Sequence, residues 1–171
     1  MNIDLTVCIP VKTHLKKYIH FIENVDKDNP LNLKNNSPFS YFCSLLFTNK
    51  TNIMDDEHSA YATASRKYQS KLTFTVHARM EKLGCFFLTR KSILALNRYL
   101  HRCFIDHLVQ LVQAGVKEGR TQHQIIVAFM EDLDIVLDVE YDAIKKAVDR
   151  ANKNKKYAGI REQKRRISAN S

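Results

Sequence analysis

Glycine and proline are scarce in this sequence, and long apolar runs are absent. Four glycines and three prolines among 171 residues are too few for a fibrous or loop-dominated protein. The longest uninterrupted apolar run covers residues 125–130, whereas a membrane-spanning helix needs about 18 apolar residues or more. The N-terminus has no basic region and no small-residue cleavage site, so no secretory signal is expected. These absences predict a cytoplasmic protein that has no membrane partner.

Cysteine is sparse as well, and its four positions lie far apart in apolar surroundings. No C-x-x-C pair is present, and a disulfide framework would normally be denser in a chain of this length. We therefore interpret the cysteines as buried thiols of a reducing compartment. They are Cys8, Cys43, Cys85 and Cys103.

The proportions of hydrophobic and charged residues are typical of a globular protein. Hydrophobic residues make up 44% and charged residues 26%, both near the values of ordinary soluble domains. The length is enough to bury a core without covalent staples, in one domain or two very small ones.

Two short segments of the first half alternate apolar and polar residues, which predicts strands with one buried face. They are residues 3–9, ending before Pro10, and residues 72–78. We expect them to pair as a small antiparallel two-stranded ribbon, which is only marginally stable unless it packs on helices. Helical spacing of apolar residues predicts such helices over 12–24 and 39–47. Two polar stretches are expected to be long loops or partly ordered linkers: residues 26–37 and 48–70.

A long helix is predicted for the second half. Thr89 is a candidate cap at its start, and the helix is expected to run to about Ala114, before Gly115 and Gly119. Apolar residues at helical spacing form its predicted inward face: Ile93, Leu96, Leu100, Phe104, Leu108 and Leu111.

Two shorter helices are predicted to follow. Thr121 and Gln124 have the spacing of a capping box, so the first should begin at Gln122. Asp138 is a candidate N-cap for the second, from Val139 to about Asn154. The residues expected to face inward are Ile125, Ile126, Phe129 and Met130 on the first helix, and Tyr141, Ile144 and Val148 on the second.

The helices over 122–132 and 139–154, preceded by the long helix, have the outline of a helix-turn-helix. The second would be the recognition helix, because Lys and Arg neutralise phosphates while Arg and Asn can hydrogen-bond to base edges. Glu140 and Asp142 would repel phosphates, so we expect the DNA-facing surface further along this helix, unless these two side chains point back into the protein. Its candidate DNA contacts are Lys145, Lys146, Arg150, Asn152 and Lys153.

Positive charge is concentrated at the C-terminus. Residues 145–171 contain ten basic residues and two acidic ones, a composition that attracts polyanions. Tyr157 is the one aromatic residue among them, so duplex DNA is favoured over single strands, which need exposed rings for stacking. Further candidate DNA contacts lie beyond the last predicted helix: Lys155, Lys156, Arg161, Lys164, Arg165 and Arg166.

Two parts of the chain are similar to a known group of proteins. The run Phe129-Met130-Glu131-Asp132-Leu133-Asp134-Ile135, with Asp138 and residues 141–150 after it, resembles the C-terminal end of DNA-binding proteins of bacterial prophages and mobile elements. Near the N-terminus, the segment Ile9-Pro10-Val11-Lys12, followed by Leu15-Lys16-Lys17-Tyr18, is similar to the N-terminal part of the same proteins. The resemblance covers both ends but not the middle loops. It implies a regulator encoded by such an element, and it carries no catalytic residues.

Motifs for catalysis and metal binding are not found. Cys103 and His107 are four residues apart and share a helix face, but no third or fourth ligand lies nearby in the sequence. Neither a glycine-rich phosphate loop nor a nucleophile elbow is present. The sequence therefore predicts no enzyme activity, no catalytic residue, no metal and no cofactor.

Taken together, the patterns predict a mostly helical α+β protein in three parts. They are an α+β half over 1–88, a helical half over 89–154, and a flexible basic tail over 155–171. The predicted function is sequence-specific binding of duplex DNA by a transcriptional or mobile-element regulator. A homodimer, with the long helix as candidate interface, would multiply affinity over two half-sites. The alternative is a protein-interaction or assembly module whose basic tail binds RNA or an acidic partner.

Overall fold

The structure is a computed structural model that describes residues 4–32, 37–46, 68–77 and 90–154. In these ranges the chain is a mixed α+β protein with a small sheet, which confirms the predicted fold class at that level. The described elements are β1 (Asp4–Val11), α1 (Thr13–Ile22), β2 (Leu31–Asn32), α2 (Pro38–Leu46), β3 (Ser70–His77), α3 (Arg90–Lys117), α4 (Gln122–Asp132) and α5 (141–154).

The chain divides into two compact units, residues 1–101 and residues 102–171. The division falls inside α3, so this helix contributes residues to both units. The predicted boundary between residues 88 and 89, and the predicted tail over 155–171, lie outside the described residues.

The sheet of the first unit has three described strands in the order β1-β3-β2. β1 and β3 pair antiparallel along their full length, from Asp4 opposite His77 to Val11 opposite Ser70. The predicted end of the first strand before Pro10 is wrong. Among the described strands β1 lies at an edge of the sheet, where a proline is tolerated because one side of the strand needs no N–H donor.

The predicted two-stranded ribbon lacks one strand that the structure shows. β2 has two residues and lies within the predicted loop over 26–37. Leu31 pairs parallel with Phe74 of β3, and its side chain is buried. A strand this short has no measurable alternation, so the sequence could not indicate it.

Helices cover the apolar face of the sheet as predicted. Ile9 and Val11 of β1 and Leu72 and Phe74 of β3 are fully buried. Phe39 of α2 packs against Phe74, with ring centroids 5.9 Å apart. Burial of such side chains is the main favourable contribution to the stability of this unit.

One buried asparagine links α3 to the end of β1. The Nδ2 group of Asn97 donates to the carbonyl oxygens of Pro10 (3.0 Å) and Ile93 (2.9 Å), while its Oδ1 accepts from the backbone N–H of Lys12 (3.2 Å). All of these groups belong to the first unit. The strand end and the start of α1 are therefore fixed to α3 by directional bonds as well as by apolar contact.

The long helix differs from its prediction at its C-terminal end. Leu111 is 37% exposed, while Val112 is buried. The buried row continues from Phe104 and Leu108 by steps of four residues, which leads to Val112 rather than to Leu111. The predicted cap residue, Thr89, lies outside the described residues.

Gly115 does not stop α3, which continues to Lys117. The glycine instead allows a close approach, because a Cβ at this position would lie 2.7 Å from the Cδ1 atom of Ile125 in α4. The turn comes at Gly119, whose φ of 85° is a left-handed conformation that glycine adopts without strain.

α4 begins as predicted. The Thr121 hydroxyl accepts from the Gln124 N–H (3.3 Å) and the Gln124 side chain accepts from the Thr121 N–H (2.9 Å), so the capping box is confirmed. The four predicted inward residues of α4 are all buried.

The start of α5 is later than predicted. Asp138 is not its N-cap, because residues 136–139 form a turn in which the Ile135 carbonyl accepts from the N–H groups of Asp138 and Val139. The helix begins at residue 141, and the Glu140 carbonyl accepts its first backbone bonds. The connector between α4 and α5 therefore covers residues 133–140, and it is longer than the turn of about three or four residues that is usual in a helix-turn-helix.

Three of the four cysteines lie in the described ranges, and none of these three forms a disulfide bond there. Cys43 is buried as expected, whereas Cys8 and Cys103 are only half-buried. Burial raises the pKa of the Cys43 thiol. Among the described helices, none combines the length and apolar character needed to cross a membrane.

Candidate nucleic-acid interface

The orientation of α5 is set by apolar packing in the second unit. Ile144 and Val148 are one turn apart and are both buried. Because a helix buries one stripe, the side chains on the opposite side must face solvent. Tyr141 is half-buried rather than inward, and its ring packs edge-on against His123 of α4, with centroids 4.9 Å apart.

Two side-chain hydrogen bonds hold α5 at its flank. The Nε2 group of Gln122 in α4 donates to the Asp149 carboxylate (3.0 Å), and the Nε2 group of Gln113 in α3 donates to the Oδ1 atom of Asn152 (3.1 Å). These bonds restrict rotation of α5 about its axis. They connect residues 27 and 39 positions apart, so no local pattern in the sequence could reveal them.

Three basic side chains share the outer face of α5. Lys146, Arg150 and Lys153 are spaced four and three residues apart, which places them one above another on a helix. All three are exposed. The structure thus brings together three of the predicted DNA contacts as one cationic row, which we call the basic face.

The other predicted contacts are placed differently. Lys145 is exposed but lies about 100° around the helix from Lys146, on the side of Asp149 and Asn152. Asn152 is half-buried, and its side-chain oxygen is already used by Gln113. The six remaining predicted contacts lie outside the described residues: Lys155, Lys156, Arg161, Lys164, Arg165 and Arg166.

Acidic side chains stand at the start of α5. Glu140 and Asp142 are both exposed, so they do not point back into the protein. Carboxylates at a helix N-terminus are favourable for the helix itself, because they oppose the positive end of its dipole. They repel phosphates, however, and they confine any anion contact to the later turns of α5.

The connector before α5 has a feature that the sequence patterns did not indicate. Leu137 is 100% exposed and Val136 is 54% exposed, whereas the neighbouring Ile135 is fully buried. The sequence predicted only a connector here, because three consecutive apolar residues do not show which of them turns inward.

Cys103 and His107 share a helix face, but the sequence predicted no metal site there because no further ligand lies nearby. Within the described ranges, no group of three His, Cys, Asp or Glu side chains is arranged to hold a metal ion. The His107 ring packs edge-on against Phe129, with centroids 5.6 Å apart, and burial lowers its pKa. His107 is thus part of the packing between α3 and α4.

Comparison of the chain with known protein families, with curated proteins and with solved structures finds no match. A function for the basic face must therefore be inferred from the charges and positions of its own residues.

Proposed function

We propose that this protein binds duplex DNA through the basic face of α5 together with the basic residues that follow it, and acts as a transcriptional or mobile-element regulator. The observation that carries the proposal is the alignment of Lys146, Arg150 and Lys153 on the exposed side of a helix whose other side is anchored by Ile144 and Val148. Because the backbone of this helix is already ordered, only the side chains of the row lose conformational freedom when they meet phosphates.

The dimensions of this row suit a nucleic-acid backbone. Lys146 and Lys153 are seven residues apart, which is about 10 Å along the helix axis. Phosphates of one DNA strand follow one another at about 3.4 Å along the duplex axis. The row can therefore meet about three phosphates, and Arg150 at its centre has the fork geometry needed to bind guanine.

The acidic start of α5 shapes how the helix can dock. Recognition helices commonly contact base edges through their N-terminal residues, but Glu140 and Asp142 oppose that approach here. The later turns of α5 are the favoured contact. Phosphate binding should then contribute most of the affinity, with Arg150 as the main candidate for base recognition.

A charge-reversal pair tests the proposal. The full chain is titrated against labelled duplex DNA by fluorescence anisotropy over a salt series. Lys146→Glu with Arg150→Glu should weaken binding at low salt by about 100-fold and reduce the salt slope by about 2, since two phosphate contacts are lost.

The matched control changes the net charge by the same amount but at a different place in the chain. Lys91→Glu with Arg98→Glu reverses two exposed basic residues of the first unit, and it should weaken binding much less. An equal loss in the two double variants would show that only net charge matters, and absence of binding by the parent chain at low salt would overturn the proposal. Tighter binding to single-stranded RNA than to duplex DNA would favour the alternative module instead.

A further inference from the structure

The connector over 133–140 holds two apolar side chains outward in a defined backbone. The Ile135 N–H donates to the Met130 carbonyl (2.9 Å) and the Asp138 N–H donates to the Ile135 carbonyl (2.9 Å). Ile135 is fully buried, so it anchors the connector from within. Val136 and Leu137 follow it with exposed side chains, and they form what we call the connector tip.

The surroundings of the connector tip are strongly acidic. Between residues 121 and 144 the chain has no Lys or Arg and six carboxylates, and all six residues are exposed. No three of the described carboxylates converge in a way that could hold a metal ion. They are Glu131, Asp132, Asp134, Asp138, Glu140 and Asp142.

An apolar tip in an acidic field fits a partner segment that is basic and also carries a large apolar side chain. Leu137 would bury its side chain against that apolar group, while the carboxylates would attract the basic groups and repel nucleic acid. The chain itself contains such a segment in residues 155–166, where Tyr157 and Ile160 stand among six basic residues and one acidic residue.

We propose that the connector tip binds the basic segment over 155–166 of a second copy of this chain. Within one copy, the connector precedes α5 and the basic segment follows residue 154, and residues 141 and 154 are about 20 Å apart along the axis. Tyr157 is three residues beyond 154 and can extend at most about 11 Å from it. Tyr157 therefore falls short of the connector tip of its own copy, so a contact of its ring with Leu137 requires a second copy, in a head-to-tail association of unlike surfaces.

This association does not rest on DNA binding, and it is measured without nucleic acid. Sedimentation velocity of the full chain at low salt should show a mass that rises with protein concentration and falls again at high salt, because the attraction is partly electrostatic. Leu137→Ser should weaken self-association about tenfold, since the apolar contact is lost. Val116→Ser, which also removes an exposed apolar group of the second unit, should leave it unchanged.

A mixing experiment distinguishes this contact from other dimers. Leu137→Ser lacks the acceptor surface, and the double variant Tyr157→Ser with Ile160→Ser lacks the apolar groups of the donor segment. Each variant alone should be largely monomeric, but their mixture should form a one-to-one complex, because each retains the half that the other lacks. A parent chain that is monomeric at every concentration at low salt, a Leu137→Ser chain that associates like the parent, or a mixture that stays monomeric would each overturn the proposal.

Discussion

At the scale of single residues, Asn97 joins three parts of the first unit. It is 5% exposed, and both ends of its amide are used by backbone groups of β1, of the residue before α1 and of α3 itself. A fully bonded buried amide adds little net stability, but its removal is costly because its partners remain buried without bonds.

We expect Asn97→Ala to lower the free energy of unfolding by about 2 kcal/mol. The Pro10 carbonyl and the Lys12 N–H would lose the partner described here. Urea denaturation followed by circular dichroism measures the change. Asn29→Ala, at an exposed site, is the control, and a loss of similar size there would contradict the assigned role of Asn97.

Three other residues show the limit of residue-by-residue prediction. Leu111 and Val112 are adjacent apolar residues of α3, and only the surface opposite the helix decides that Val112 is the buried one. Asn152 has the chemistry of a base contact, but its oxygen is bonded to Gln113. The type of a side chain limits its possible partners, whereas its position in the fold selects among them.

At the scale of elements, the capping box of α4 is a local device with a local effect. Thr121 and Gln124 satisfy each other's backbone donors, and this exchange needs only residues within one turn. The sequence could therefore predict both the box and the start of the helix.

Thr121→Ala should lower the free energy of unfolding by about 1 kcal/mol, because the hydroxyl that accepts from the Gln124 N–H is lost. Thr121→Ser keeps the hydroxyl and should behave nearly as the parent chain does. Thermal and urea unfolding of the three proteins provide the comparison. An alanine variant as stable as the serine variant would mean that the hydroxyl does not cap α4.

The connector and α5 form a pair of elements with opposite charge. The acidic connector precedes the helix and the basic face follows on its later turns, an order that also suits the helix dipole. Under the proposed function, the same order separates an acidic surface that would repel DNA phosphates from a basic surface that would attract them. The charge order is visible in the sequence, but the outward position of Leu137 is not.

At the scale of the whole molecule, three described histidines make stability depend on pH in the same direction. Burial lowers the pKa of His20, with a smaller contribution from Lys16. His101 is exposed, but partial desolvation lowers its pKa, with Lys12 contributing in the same sense, and burial lowers the pKa of the half-buried His107. The folded protein therefore resists protonation of these rings more than the unfolded chain does.

The free energy of unfolding should fall as the pH decreases below about 6.5, because in that range the unfolded chain binds more protons than the folded one. Urea midpoints between about pH 7.5 and pH 5 measure this dependence. His20→Gln should reduce this dependence, because one of the three groups with a lowered pKa is removed. A dependence that survives unchanged in the His20 variant would contradict the role of that buried histidine.

The sequence by itself determined the elements whose signals are local. The alternation over β1 and β3, the apolar spacing of the helices and the capping box all act within a few residues, so they can be predicted from neighbours along the chain. The concentration of positive charge after residue 144 is also a property of composition alone.

Only the tertiary structure decided the features that depend on distant partners. β2 exists because Leu31 meets Phe74, and α5 starts at residue 141 because the Ile135 carbonyl holds a turn before it. The same long-range packing aligned the basic face outward and left Leu137 exposed. The physical reason is that burial and hydrogen bonding satisfy groups far apart in the chain, and a local pattern leaves several ways of doing so.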